Sequence, residues 1–106
     1  QVLRERKDFT AVFAMADVIA IGAIRALFDE GLRVPEDISV AGYDGLRIGG
    51  YFVPKLTTIA QSVDLLAERS FDLLLSCMQG AQAQHLTVPF RLLTRQSVRQ
   101  ITEIEG

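Results

Sequence analysis

Two carboxylates stand where short apolar runs give out. Asp44 follows the run of residues 38–41 through Gly42 and Tyr43, and Asp17 follows residues 11–15. In an open α/β sheet, ligands are met at the ends of strands. A carboxylate there can accept two adjacent hydroxyl protons, in a fork that apolar side chains cannot imitate. The chemistry on offer is recognition of a small molecule that presents hydrogen-bond donors. Each residue also has a plainer reading. Asp17 is a residue type that N-caps helices, its carboxylate accepting backbone N–H bonds and meeting the positive end of the helix dipole. Asp44-Gly45 is an ordinary turn dipeptide with a solvated carboxylate.

Nothing else in the chain points to catalysis or metal binding. His85 is the only histidine and Cys77 the only cysteine, too far apart in sequence for metal-ligand spacing. There is no GxSxG, P-loop or GxGxxG. The reading is a binding protein without cofactor, not an enzyme. A net charge of −2 argues against wrapping nucleic acid by charge, which needs clustered Lys and Arg. The 49% hydrophobic and 23% charged fractions are those of an ordinary soluble domain. At 106 residues the chain is enough for one small domain. Its longest apolar stretch, residues 18–26, contains Gly22 and Arg25 and is too short for a membrane span. A single cysteine fits a reducing cytoplasm. No signal peptide is visible; the first residue is Gln1 and not Met, so the chain is expected to be a segment of a longer protein, in which case a missing signal peptide says little.

The elements that must position the two carboxylates follow from periodicity. Residues 1–8 are polar, the end of an upstream helix or a loop. Residues 11–15 have the length and composition of a strand. Over 18–30 the spacing becomes helical, with Ile21, Ile24, Leu27 and Phe28 on one face, and Gly31 is the expected stop. Val34-Pro35-Glu36-Asp37 reads as a turn. A strand over 38–41, ended by Gly42, completes a βαβ unit. The irregular stretch 45–54 interleaves Gly45, Gly49 and Gly50 with Leu46, Ile48, Tyr51 and Phe52, an apolar loop expected to cover something. Residues 56–60 are rich in β-branched types. Ser62 is then placed to N-cap a helix carrying Val63, Leu66, Ala67, Ser70, Leu74, Cys77 and Met78 on one stripe, with Gly80 at its end. A polar connection over 81–85, a strand over 86–90 and an extended run over 91–94 follow. Residues 99–106 show no period.

Four stretches, in order and spacing, closely resemble the effector-binding region of the lactose-repressor (LacI/GalR) family of bacterial transcription regulators. They are TAVFAMADVIAIGAIRALFDEGL at 10–32, VPEDISVAGYD at 34–44, VPKLTTIAQSV at 53–63 and LLTRQSV at 92–98. The resemblance implies an α/β, parallel-sheet, periplasmic-binding-protein-like (type I) fold. Residues 1–60 and 91–106 would be most of its C-terminal subdomain, and 61–90 a crossover segment, helix and strand, of the N-terminal subdomain. A helix-turn-helix DNA-binding head, normally upstream in the family, is not in this sequence.

For the site, the resemblance implies that Asp44, in the GYD motif, faces the effector cleft. Asp17 would line the same cleft, where the family commonly has an Asn-Asp pair; Ala16 stands here in place of the Asn, so that hydrogen bond is absent. Gln61 would lie near cleft and hinge, contacting ligand or the hinge backbone. Tyr43 and Phe52 can stack on a ring or pack in core or interface. The GGYFVP loop resembles the pairing segment of the family, which assigns Tyr51, Phe52 and Val53 to a dimer interface. The function implied is the ligand-sensing and dimerisation part of a cytoplasmic regulator. Its partners would be a small-molecule effector of the sugar class, a second copy or higher homo-oligomer, and operator DNA through the upstream head only, with no membrane. The alternative is a periplasmic sugar-binding protein of an uptake system. A nucleotide-using α/β enzyme ranks last, since the glycine fingerprint after the first strand is missing.

Overall fold

The computed structural model describes residues 8–101. The expectations for 1–7 and for 102–106 lie outside the described residues. The elements are β1 (Ala11–Phe13), α1 (Asp17–Asp29), β2 (Ser39–Asp44), a 3₁₀ turn (Arg47–Gly50), β3 (Thr57–Gln61), α2 (Val63–Met78) and β4 (Phe90–Leu93). They form a four-stranded sheet in the order β1-β2-β3-β4. β1 and β2 pair in parallel with Val12 opposite Val40, and β2 and β3 in parallel with Gly42 opposite Thr58. The expected parallel α/β architecture, with its βαβ unit, is the one observed. The chain divides into two compact units, residues 1–60 with 92–106, and residues 61–91.

The first unit is built on α1 lying against β2. Its core is Ala14, Ala20, Leu27, Ile38, Val40 and Leu56, with Phe9, Val12, Ile21, Ile24, Leu32 and Val34 packed around it. Burying each of the larger aliphatic side chains contributes about 1.5–3 kcal/mol. The inward face of α1 is Asp17, Ala20 and Leu27, spaced three and seven residues apart. Phe28 does not join it. One position around the helix from Leu27, it is 71% exposed and lies under the Arg25 guanidinium at 5.8 Å.

Gly31 stops α1 as expected. Its φ of 78° lets the Leu32 N–H return to the Leu27 carbonyl at 2.9 Å. The turn at 34–37 is closed by Asp37, which accepts from the Arg33 N–H at 2.8 Å and from Arg33 Nε at 3.2 Å. That guanidinium, with the Arg33 backbone N–H, holds the Asp37 carboxyl below the usual carboxylate range, and Asp37 in return raises Arg33. Val34-Pro35 and Val53-Pro54 are cis peptides. β2 does not end at Gly42. It runs through Gly42 and Tyr43 to Asp44, paired along that length with Thr58, Ile59 and Ala60 of β3.

The second unit is carried by α2. Ser62 occupies its N-cap position but its side chain makes no capping bond. Gly80, at φ 101°, closes it, with the Ala81 N–H on the Ser76 carbonyl at 3.0 Å. No residue of α2 is buried; Val63, Leu66, Leu74 and Met78 of the expected stripe are exposed, and only Leu65, Leu73 and Cys77 are half-buried. The expected strand at 86–90 does not form. Residues 81–89 have no regular structure, and Pro89, which has no N–H to give a ladder, immediately precedes β4. Among the described residues, no helix is long and apolar enough to cross a membrane.

Candidate functional site

The C-terminal ends of β1 and β2, with the start of α1, gather the polar residues of the first unit. Asp17 is the first residue of α1, not its cap. The N-cap is Ala16, which has no side chain to cap with, so the expected capping role is not met. The Asp17 carboxylate instead turns into the unit and is fully buried. Oδ1 accepts from the Thr58 hydroxyl at 2.6 Å, and Oδ2 accepts from the Leu46 N–H at 2.7 Å. Hydrogen bonds to a charged acceptor are worth about 1.5–3 kcal/mol each. Asp17 thus joins three separate stretches of chain: the start of α1, the loop after β2 and the middle of β3.

Gly42 exists for this carboxylate. A Cβ there would overlap Asp17 Oδ1 and would stand 3.1 Å from Leu56 Cδ2 and 3.3 Å from the Ala20 Cβ. Two residues on, Asp44 ends β2 at φ 125°, the only non-glycine at positive φ among the described residues. A side chain in this region costs free energy and persists only where surroundings over-determine it. They do so here. Gly45, at φ 77°, packs so closely that a Cβ would come within 2.6 Å of the Ala60 Cβ and 2.7 Å of its Cα. Its N–H donates to Thr58 Oγ1 at 3.3 Å. Asp44 itself is half-buried and makes an interaction of its own.

The opposite side of β3 is held by the returning chain. Thr57, one residue before Thr58 and facing the other way, receives the Arg95 N–H on its Oγ1 at 2.9 Å, and its own N–H donates to Ser97 Oγ at 2.8 Å. Ser97 is fully buried and its hydroxyl donates to the Val40 carbonyl. Arg95 Nη1 donates to the Leu56 carbonyl at 3.1 Å.

Gln61 ends β3 and opens the second unit; it is half-buried and makes an interaction of its own. Tyr51 and Val53 are 82% and 92% exposed, with Phe52 half-buried between them. Phe52 and Val53 line one groove with Ile21, Ile24, Arg25 and Phe28 of α1. Tyr43 is half-buried in β2 opposite Ile59. Sequence reasoning missed Thr58, Ser97 and the need for Gly42. The adjacent Thr57-Thr58 pair was a usable signal, because neighbouring strand residues face opposite sides and two hydroxyls there serve two different partners. The Leu46 N–H carries no signal in sequence.

Residues 2–98 match the periplasmic binding protein-like domain family. The chain is 45% identical over 100 residues to the HTH-type transcriptional repressor PurR of Klebsiella pneumoniae, covering 92% of this chain and 29% of that protein. Among solved structures it is similar to the lac repressor dimer bound to operator and the anti-inducer ONPF (40% identity, TM-score 0.83, 92% of this chain and 35% of that one). It is also similar to a LacI family regulator of Enterococcus faecium with bound ribose (37% identity, TM-score 0.79, 96% of this chain and 40% of that one). The chain therefore spans less than a third of the curated relatives it matches. It belongs to the periplasmic binding protein-like domain family, and the relatives it matches within that family are LacI-type transcriptional regulators.

Proposed function

We propose that this chain is the ligand-sensing and dimerisation part of a LacI-type transcriptional regulator whose effector is a sugar and whose DNA-binding head lies elsewhere in the parent protein. The observation that carries this reading is Asp44, a carboxylate kept in an unfavourable backbone conformation at the C-terminal end of a parallel strand. Strain of that kind clusters at ligand sites, and strand ends are where such sheets take ligands. The relatives named above, one of them holding ribose, support the regulator over the uptake protein.

On this reading Asp44 is the principal ligand contact, and Gln61 a second contact. Asp17, buried with both oxygens engaged, acts behind the site and not on the ligand. Residues 1–60 with 91–106 serve as the C-terminal subdomain and 61–90 as the crossover into the N-terminal one. Tyr51, Phe52 and Val53 are the surface on which a second copy pairs, two copies being what a pseudo-palindromic operator requires. The effector regulates by binding one arrangement of the parent protein better than another, since only differential affinity moves such an equilibrium. No residue acts as a catalyst, and the protein works in the cytoplasm, where its operator is. Gel-shift titration of the parent protein on its own upstream DNA, with and without sugars, tests this: a shift that one sugar alters is expected. A parent protein that carries a secretion leader and binds no DNA would overturn it in favour of uptake.

A further inference from the structure

We propose that Asp17 and Thr58 form a positioning pair that imposes the strained conformation of Asp44. The role in ligand binding rests on the reading above; the mechanical part stands without it. The relay runs from the buried Asp17 outward. Its Oδ1 accepts a hydrogen bond from the Thr58 hydroxyl at 2.6 Å, which turns the lone pairs of Thr58 Oγ1 toward the Gly45 N–H at 3.3 Å. Its Oδ2 takes the Leu46 N–H at 2.7 Å. Two consecutive peptide groups directly after Asp44 are therefore pinned, one by each member of the pair. Ala60, Asp44's partner across the ladder, closes the third side against Gly45. With residues 45 and 46 held and β2 locked in register behind it, Asp44 has to take up the difference in its own φ. Position 17 can reach this far into the unit because Ala20 and Gly42 beside it are small.

The test needs no ligand. At an ordinary position glycine is less stable than alanine, because it loses more freedom on folding; at positive φ the order reverses, since only the Cβ is penalised. Asp44→Gly is therefore expected to melt above Asp44→Ala by about 4 °C, a shift typical of modest stability changes in domains of this size. Both variants lose the carboxyl, so its own interactions cancel. In a Thr58→Val background the clamp is broken, and Asp44→Ala is expected to melt at or above Asp44→Gly. Thr58→Ser restores the hydroxyl and is expected to restore the original order.

The same gap in the Thr58→Val background, or no gap in the otherwise unchanged chain, overturns the proposal. If Thr58→Val does not fold, amide hydrogen exchange decides. The Leu46 N–H belongs to a residue that is 39% exposed, so slow exchange there reports its bond to Asp17 and not burial of the side chain. Protection of Gly45 and Leu46 by about tenfold or more over unstructured chain is expected in the unchanged chain and in Thr58→Ser; exchange at the unstructured rate in either overturns the proposal. Failure of the ligand reading alone would leave all of these results in place.

Discussion

Gly42→Ala is the substitution whose cost follows most directly from the packing around it. The added Cβ meets three neighbours at once: the Asp17 carboxylate, in direct overlap, Leu56 Cδ2 at 3.1 Å and the Ala20 Cβ at 3.3 Å. Leu56 and Ala20 are fully buried core residues with no free space to retreat into. Overpacking a tight core costs about 1–3 kcal/mol. Moving Asp17 aside also weakens its bonds to Thr58 and Leu46, each worth about 1.5–3 kcal/mol. Together these come to roughly 2.5–6 kcal/mol if one of those bonds survives.

Gly22 supplies the control. It lies inside α1, is exposed, and a Cβ there meets nothing within 4 Å. Gly22→Ala should therefore stabilise by about 0.5–1 kcal/mol through helix propensity. Thermal melts of the two variants at equal concentration should separate by well over 10 °C, at roughly 4–8 °C per kcal/mol for a domain of this size. Gly42→Ala melting within about 2 °C of the unchanged chain would refute the packing argument, and with it the claim that Gly42 is set by Asp17.

Other outcomes follow from the same contacts. Ser97→Ala leaves the buried Thr57 N–H without its acceptor and should cost about 1–3 kcal/mol in denaturant melts, whereas Gln100→Ala, at an exposed position, should stay within about 0.5 kcal/mol; equal effects would remove Ser97 from its wedge between β2 and β3. The Arg33 guanidinium lowers the Asp37 carboxyl, so the folded form gains a contribution that is complete above the usual carboxylate range and is lost as pH falls through the lower folded value. Asp37→Asn should thus narrow the difference in melting temperature between neutral and acid pH; an unchanged pH profile would show that the pair contributes nothing, as exposed pairs often do. Val53→Asp, at the exposed end of the groove with Phe28 and Ile24, should weaken self-association of the parent protein about tenfold or more by sedimentation, and an unchanged dimer would move the interface elsewhere.

The local rules carried the backbone far. Gly31 and Gly80 were legible as helix stops because a left-handed residue after a helix is nearly a glycine monopoly, and both hold positive φ. The turn at 34–37 was legible from Pro35 and Asp37. Long-range partners set the rest. Asp17 looked like a cap because Asp commonly caps, yet it is bonded to residues 29 and 41 positions away, and no local pattern contains that. Phe28 was read inward because it continues an apolar spacing, but Ala20 and Gly42 draw a narrower face against the sheet. Gly42 looked like a strand end, since an isolated glycine usually marks one, whereas here it opens space inside the strand. The strand at 86–90 was read from its apolar residues without weighing Pro89, which brings no N–H to a ladder, and pairing begins only at Phe90. The site was legible only as a pair of carboxylates at strand ends; that Asp17 is fully buried while Asp44 is half-buried came from the packing.

The most direct test of the account is calorimetric titration of the parent protein with a panel of sugars that includes ribose, repeated with Asp44→Asn. The account predicts that one sugar binds at one site per chain and that Asp44→Asn weakens it by about tenfold or more, the loss of a charged acceptor from two hydroxyl donors. Binding that is unchanged in Asp44→Asn, or a parent protein that binds no sugar at all, would contradict it.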